Sequence, residues 1–131
     1  MKVYWDSSAL VAASADAGLR TRLRHERGIT RTHALAETFS ALTAGNLSVR
    51  VDADAAATLV HDLAKDLDFI DLTPTEILDA LKKAKKRGVR GGRVHDLLHA
   101  VAAEKAGAFK ILTAEENDFE SLADSVEVEL I

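Results

Sequence analysis

The chain contains no cysteine, which removes disulfides, zinc–thiolate sites and thiol catalysis together and is in keeping with a reducing cytoplasm. Proline occurs once, at Pro74, and no linker, low-complexity segment or internal repeat interrupts the sequence. Aromatic residues are scarce, with four Phe, one Trp and one Tyr, so sequence reading of single strands by base stacking is not supported. No apolar run approaches the ~18 residues of a membrane span, and strand-like sequence begins at residue 2, so neither a membrane partner nor a secretory signal is expected. Neither sign of charge dominates: 17 Lys+Arg stand against 21 Asp+Glu, a net charge of −4. That balance excludes a protein basic all over, although a local basic cluster can still meet nucleic acid.

What is present is 131 residues, 47% hydrophobic and 29% charged, enough apolar surface for one core and a length that suits a single domain over 1–131. Twenty-three alanines favour helix, yet several short runs read as strands. Lys2-Val3-Tyr4-Trp5 is β-branched and aromatic and stops at Asp6-Ser7-Ser8. Gly28-Ile29-Thr30, Leu67 to Leu72 and Ala108 to Leu112 are similar, and Ser125 to Leu130 alternates strictly, as an edge strand with one exposed face does. Between them the pattern predicts helices over roughly 7–14, 16–26, 32–44, 53–66 and 94–106. Thr73-Pro74-Thr75-Glu76 is a capping box that opens a helix running to about Lys86, and Thr113-Ala114-Glu115-Glu116 has the same spacing and predicts a shorter one. Alternating strands and helices indicate an α/β domain around a mainly parallel sheet.

In such sheets ligands bind beyond the carboxyl ends of the strands. Asp6 follows the first strand directly and belongs at that rim, although Asp-Ser-Ser is also good N-cap sequence. Residues Thr113 to Asp118 reach the same rim. Leu35, Phe39 and Leu42 form a core stripe that puts Glu37 on the other side of its helix, where a solvated glutamate is the plain expectation. Its same-face neighbours His33, Ala41 and Ala44 are mostly small, which permits close approach of another surface. Asp96 falls in the first turn of a helix behind Gly91-Gly92, a position the helix dipole favours for purely structural reasons. It shares a face with His99, Ala100 and Ala103, while Val94, Leu97, Leu98 and Val101 mark the apolar side.

His95 and His99 stand at the i,i+4 spacing of a zinc-binding helix, but Asp96 replaces the expected Glu and no third ligand follows. Paired-histidine phosphohydrolases need further histidines that are absent. Asp6, Glu37, Asp96 and an acid from 115–118 are instead carboxylates on separate elements. Acids sharing one site repel unless a divalent cation neutralises them, and magnesium or manganese prefers such oxygen ligands. Lys82, Lys83, Lys85, Lys86, Arg87, Arg90 and Arg93 occupy one window without an acid. They form either a solvated helix end or a cradle for a phosphate backbone beside the carboxylates.

Four motifs in order, Val3-Tyr4-Trp5-Asp6-Ser7-Ser8-Ala9-Leu10, His33 to Leu42, Gly92-Arg93-Val94-His95-Asp96 and Leu112-Thr113-Ala114-Glu115-Glu116-Asn117-Asp118-Phe119, resemble the PIN-domain family, and within it the VapC-type toxin ribonucleases of toxin–antitoxin pairs. The resemblance spans residues 2 to about 122. It implies a three-layer α/β/α domain with a central, mainly parallel sheet and an acidic pocket for Mg2+ or Mn2+. By motif match Asp6, Glu37, Asp96 and Asp118 are the catalytic acids, with Asp6, Asp96, Glu115 and Asp118 at the metal. Glu115 takes the place where the family usually carries Asn or Asp, and Asp118 that of its Asp-Phe. The resemblance further implies a cytoplasmic endoribonuclease acting on RNA, a small cognate antitoxin that blocks the pocket, and a homodimer. The competing classes are a non-catalytic PIN-like binding module and a phosphate-receiver domain, for which Lys110 in the last apolar run is the suggestive residue.

Overall fold

The computed structural model describes residues 1–45, 50–115, 119 and 121–131. Their strands are β1 (Val3–Trp5), β2 (Ile29–Thr30), β3 (Asp68–Phe69), β4 (Lys110–Thr113) and β5 (Glu127–Leu130), and their helices are α1 (Ser7–Ala15), α2 (Ala17–Glu26), α3 (His33–Ala44), α4 (Ala53–Ala64), α5 (Pro74–Lys82) and α6 (Val94–Lys105). The five strands form one sheet in the order β3-β2-β1-β4-β5, and every pairing is parallel. Alternation along the strands divides the core in two. Val3, Trp5 and Leu112 face a cluster built with Leu10 of α1, Leu23 of α2 and Leu63 of α4. Tyr4 and Ile111 face the other way, towards Ala80 of α5 and Leu97, Ala100 and Ala103 of α6. The result is the expected three-layer α/β/α arrangement.

β1 lies between its two parallel neighbours β2 and β4, with Tyr4 and Trp5 fully buried. Gly28 leads into β2 where the chain crosses over that tryptophan. A Cβ there would lie 2.6 Å from Leu23 Cδ1, 2.6 Å from Trp5 Cδ1 and 2.8 Å from Trp5 Nε1. Gly28→Ala is therefore expected to lower stability by about 2–3 kcal/mol, or roughly 5–10 °C in thermal midpoint, because a packed core absorbs an extra methyl only by strain. Calorimetry of the variant checks this; an unchanged midpoint contradicts the packing at Trp5.

The edge strand β5 is tied in by charge. Arg22 of α2 reaches Glu129 at 2.6 Å and Lys110 reaches it at 2.8 Å. Arg22 first and Lys110 second hold the Glu129 carboxyl down at about 2.

Three local expectations are corrected. α5 ends at Lys82 rather than about Lys86, and turns carry residues 83–88. Arg87 leaves the helical path to donate to Leu122 O at 2.6 Å, and Gly88 at φ +69° completes the reversal. Thr113 opens no helix in the described residues that follow it, the expected helix lying largely on residues outside them: Thr113 is the last residue of β4, and its hydroxyl accepts from Glu115 N–H at 3.2 Å. In α3 the buried residues are Ala34, Thr38 and Leu42, with Leu35 and Phe39 only half-buried. The helix thus packs through a small face, and the Thr38 hydroxyl, buried there, donates to Ala34 O at 2.7 Å.

Candidate functional site

The carboxyl ends of β1 and β4 lie side by side, with Asp6 N–H donating to Leu112 O at 3.1 Å. Asp6 is buried and serves both of its possible roles. Its Oδ1 caps α1 by accepting from Ala9 N–H at 2.9 Å, and the residue also lines a cavity of about 430 Å3 at the rim. Ser8 fixes it there. The Ser8 hydroxyl donates to the same Asp6 oxygen at 2.7 Å, accepts from Ala114 N–H at 2.9 Å and lies 3.1 Å from Thr113 Oγ1. One hydroxyl thereby joins the end of β1 to the end of β4.

Glu37, Asp96 and Glu115 line the same cavity as Asp6, together with Arg93 and His95. The end of β1, two separate helices and the turn after β4 therefore bring four of the expected acids together. Asp118 lies outside the described residues. Burial raises the Asp96 carboxyl first, and the neighbouring charges of Glu115 and Asp6 raise it further, to about 6. This is the electrostatic signature of an acid held among acids. A divalent cation relieves it, and an all-oxygen set from Asp6, Asp96 and Glu115 suits a hard ion such as magnesium or manganese. The residues fit the ion that the sequence suggests.

Glu37 is not solvated as its place opposite an apolar stripe suggests. Its side chain is only 17% exposed, and its Oε1 lies 2.9 Å from His99 Nε2. His99 is itself buried, and its Nδ1 is 2.6 Å from the Tyr4 hydroxyl. The Tyr4 hydroxyl and His99 Nδ1 share a buried hydrogen bond, while Nε2 meets Glu37 as a close contact rather than an aligned hydrogen bond. Burial pushes the Glu37 carboxyl up, but His99, with His33 and His95 behind it, outweighs that and holds it below its ordinary value. The small face of α6 (His99, Ala100, Ala103) is thus buried among the core residues of that helix, with His99 against the sheet at Tyr4.

The His95/His99 pair does not form a metal-binding helix, since both nitrogens of His99 are engaged within the core. His95 instead stacks on His33, with ring centroids 5.6 Å apart. His33, Glu37 and His95 place their ligand atoms within 4.8 Å of one another.

Of the seven expected RNA-binding cations only Arg93 lines the carboxylate cavity, and it also donates to Ser121 Oγ at 3.1 Å. Arg87 is half-buried and bound to Asp124 at 3.0 Å. Lys83, Lys85, Lys86 and Arg90 are exposed, and Lys82 stands 4.0 Å from Asp79. Lys110, the residue that suggested a receiver, starts β4 at the opposite end from Thr113 and pairs with Glu129. It takes no part in the rim.

Sequence reasoning missed Ser8 and the partnership of His99 with Glu37. Ser8 had a local signal, a hydroxyl two residues beyond an acid at a strand end. Nothing in the sequence pairs His99 with Glu37, because the contact joins helices 62 positions apart.

Residues 3–125 match the family model described as the PIN domain. No curated protein matches the chain. Among solved structures the chain is similar to PAE2754 from Pyrobaculum aerophilum, with a TM-score of 0.73 and 21% identity over 98% of this chain and 90% of that one. That similarity concerns the fold.

Proposed function

We propose that this chain, which belongs to the PIN-domain family, is a divalent-metal-dependent endoribonuclease and the toxin of a toxin–antitoxin pair. PIN domains are in general metal-dependent nucleases. The observation that carries the proposal is the gathering of Asp6, Glu37, Asp96 and Glu115 around one cavity at the sheet rim, with Asp96 raised to about 6 by burial and by its acidic neighbours.

Asp6, Asp96 and Glu115 are the residues to hold Mg2+ or Mn2+, with Asp118 beyond them in the sequence. When bound, the ion supplies Lewis acidity towards a phosphodiester and the positive charge that these acids lack. Ser8 keeps Asp6 aimed at the rim through Oδ1. Glu37, oriented by His99 and kept ionised by the histidines around it, is placed to take a proton from an attacking water. Arg93 brings a cation to the mouth of the cavity, where a phosphate would approach. Lys85 and Lys86, exposed in the turns after α5, supply further positive charge for a phosphate backbone.

A small antitoxin that covers the carboxylates, a cytoplasmic site of action, a single domain over 1–131 and a homodimer complete the proposal. The homodimer has an apolar surface to cover on α5, where Leu78 and Leu81 are 59% and 44% exposed.

The test is incubation of purified total RNA with wild type and with Asp6→Asn, in the presence of manganese or magnesium. Metal-dependent fragments from wild type alone support the proposal. A wild type that binds the ion but leaves RNA intact favours a non-catalytic binding module. Replacing Lys85 and Lys86 together by alanine is expected to weaken RNA binding and reduce the slope of log K against log salt by about 1–2. An unchanged slope in a filter-binding titration makes that run a solvated helix end.

A further inference from the structure

The stacked histidines beside the cavity, of which His95 lines it, bear on the reaction described above only through their charge on Glu37. His33 and Glu37 stand one turn apart on α3, and His95 comes from the first turn of α6. Their ligand atoms lie within 4.8 Å of one another, and the two imidazole rings are nearly parallel, 21° apart. Both histidines are exposed, whereas Glu37 is half-buried and held from behind by His99 at 2.9 Å. That backing is the kind of support that a metal-ligating carboxylate receives from a neighbouring donor.

The geometry points to a second metal site in this protein, formed by His33, Glu37 and His95 and suited to a borderline transition-metal ion such as Zn2+. Two imidazoles and one carboxylate are a donor set that zinc accepts with a fourth position left to solvent. Magnesium avoids nitrogen ligands, so this site favours a transition-metal ion over it. Tetrahedral zinc places its ligand atoms about 3.3 Å apart, so the observed group needs to close by about 1.5 Å at most. Rotation of two exposed histidines supplies that closure without disturbing the core. The spacing of the first pair, four residues on one helix, is the one that puts two ligands on the same face. Glu37 also lines the carboxylate cavity, so an ion at this second site draws on a residue that RNA cleavage would use. That consequence rests on the nuclease proposal, whereas the binding itself does not.

The experiment is a calorimetric titration of Zn2+ into the tag-free protein without RNA, comparing wild type with His33→Gln, His95→Gln and Asp96→Asn. Circular dichroism confirms that each variant is folded, and the exposure of both histidines makes their substitution mild. The tighter zinc site of wild type is expected to weaken at least about tenfold in each histidine variant and to stay within about twofold of wild type in Asp96→Asn. Two results overturn the proposal: a histidine variant that binds zinc as wild type does, or an Asp96→Asn variant that loses as much affinity as the histidine variants. The second result would put zinc among the carboxylates instead. Failure of RNA cleavage leaves this titration unaffected, so the two proposals fall separately.

Discussion

Asp96→Asn is expected to lower metal-dependent RNA cleavage by at least about a thousandfold, ~4 kcal/mol of transition-state stabilisation, while making the metal-free protein more stable. Both effects come from one cause. Asp96 sits in the first turn of α6 among Asp6 and Glu115, and burial together with those charges raises its carboxyl to about 6. A carboxyl raised above its unfolded value of about 3.9 favours the folded state only while protonated. The contribution of Asp96 to the stability of the metal-free protein is therefore lost as pH climbs from about 4 through 6, and above that range its full penalty remains. Asparagine keeps the size of the side chain and never ionises. Asp96 is half-buried, so after allowance for solvent screening the gain is about 1–2 kcal/mol near neutral pH, or roughly 3–6 °C. Thermal unfolding in chelator at several pH values measures it. A variant that melts below wild type at neutral pH, or gains as much at pH 4 as at pH 8, contradicts the account of the site.

His99→Leu is expected to cost about 3 kcal/mol, a fall of roughly 10 °C in thermal midpoint. His99 is buried and is in contact with the Tyr4 hydroxyl at 2.6 Å and with Glu37 at 2.9 Å. Leucine fills much of the same volume but leaves a buried hydroxyl and a half-buried carboxylate without their partner. The cost of an orphaned polar group exceeds the net gain of the bond it made, which makes a second substitution informative. Tyr4→Phe in the His99→Leu background removes one orphan and should restore about 1 kcal/mol, although Tyr4→Phe alone destabilises. Urea unfolding of the four proteins of this cycle settles the matter. Simple additivity of the two substitutions would mean that the Tyr4–His99 contact contributes nothing.

Much of this architecture was legible because the sequence states it locally. Val3 to Trp5 is β-branched and aromatic and ends at an acid, and Glu127 to Leu130 alternates; both are strands where expected. Thr73 and Glu76 form both halves of the capping box. Asp6 was legible for the same reason, since a strand end followed by a cap needs no knowledge of the rest of the chain. The readings that failed depend on distant partners. Thr113 looked like a cap until Ser8, 105 positions away, came within 3.1 Å of its hydroxyl. The end of α5 was overrun because Arg87 bonds to Leu122 and Asp124, contacts that no helical window contains. The histidine pair of α6 suggested a ligand motif by spacing alone. Burial against Tyr4 turns His99 inward and leaves His95 to meet His33 from another helix. Helical periodicity marked Leu35, Phe39 and Leu42 as core, whereas Ala34 and Thr38 form the buried face together with Leu42 alone of that stripe, because α3 packs closely against its neighbours. The domain assignment over 1–131 and the role of Asp118 rest on the sequence.

The central claim is that the acids at the ends of β1 and β4 hold a divalent cation. It is tested most directly by calorimetric titration of Mn2+ into wild type and Asp6→Asn at about pH 7.5 and about pH 5. The account predicts binding by wild type at the higher pH, weaker binding at the lower one as Asp96 takes up its proton near 6, and loss of binding in Asp6→Asn at both. Equal manganese affinity in the two proteins, or an affinity indifferent to pH across that range, would contradict it.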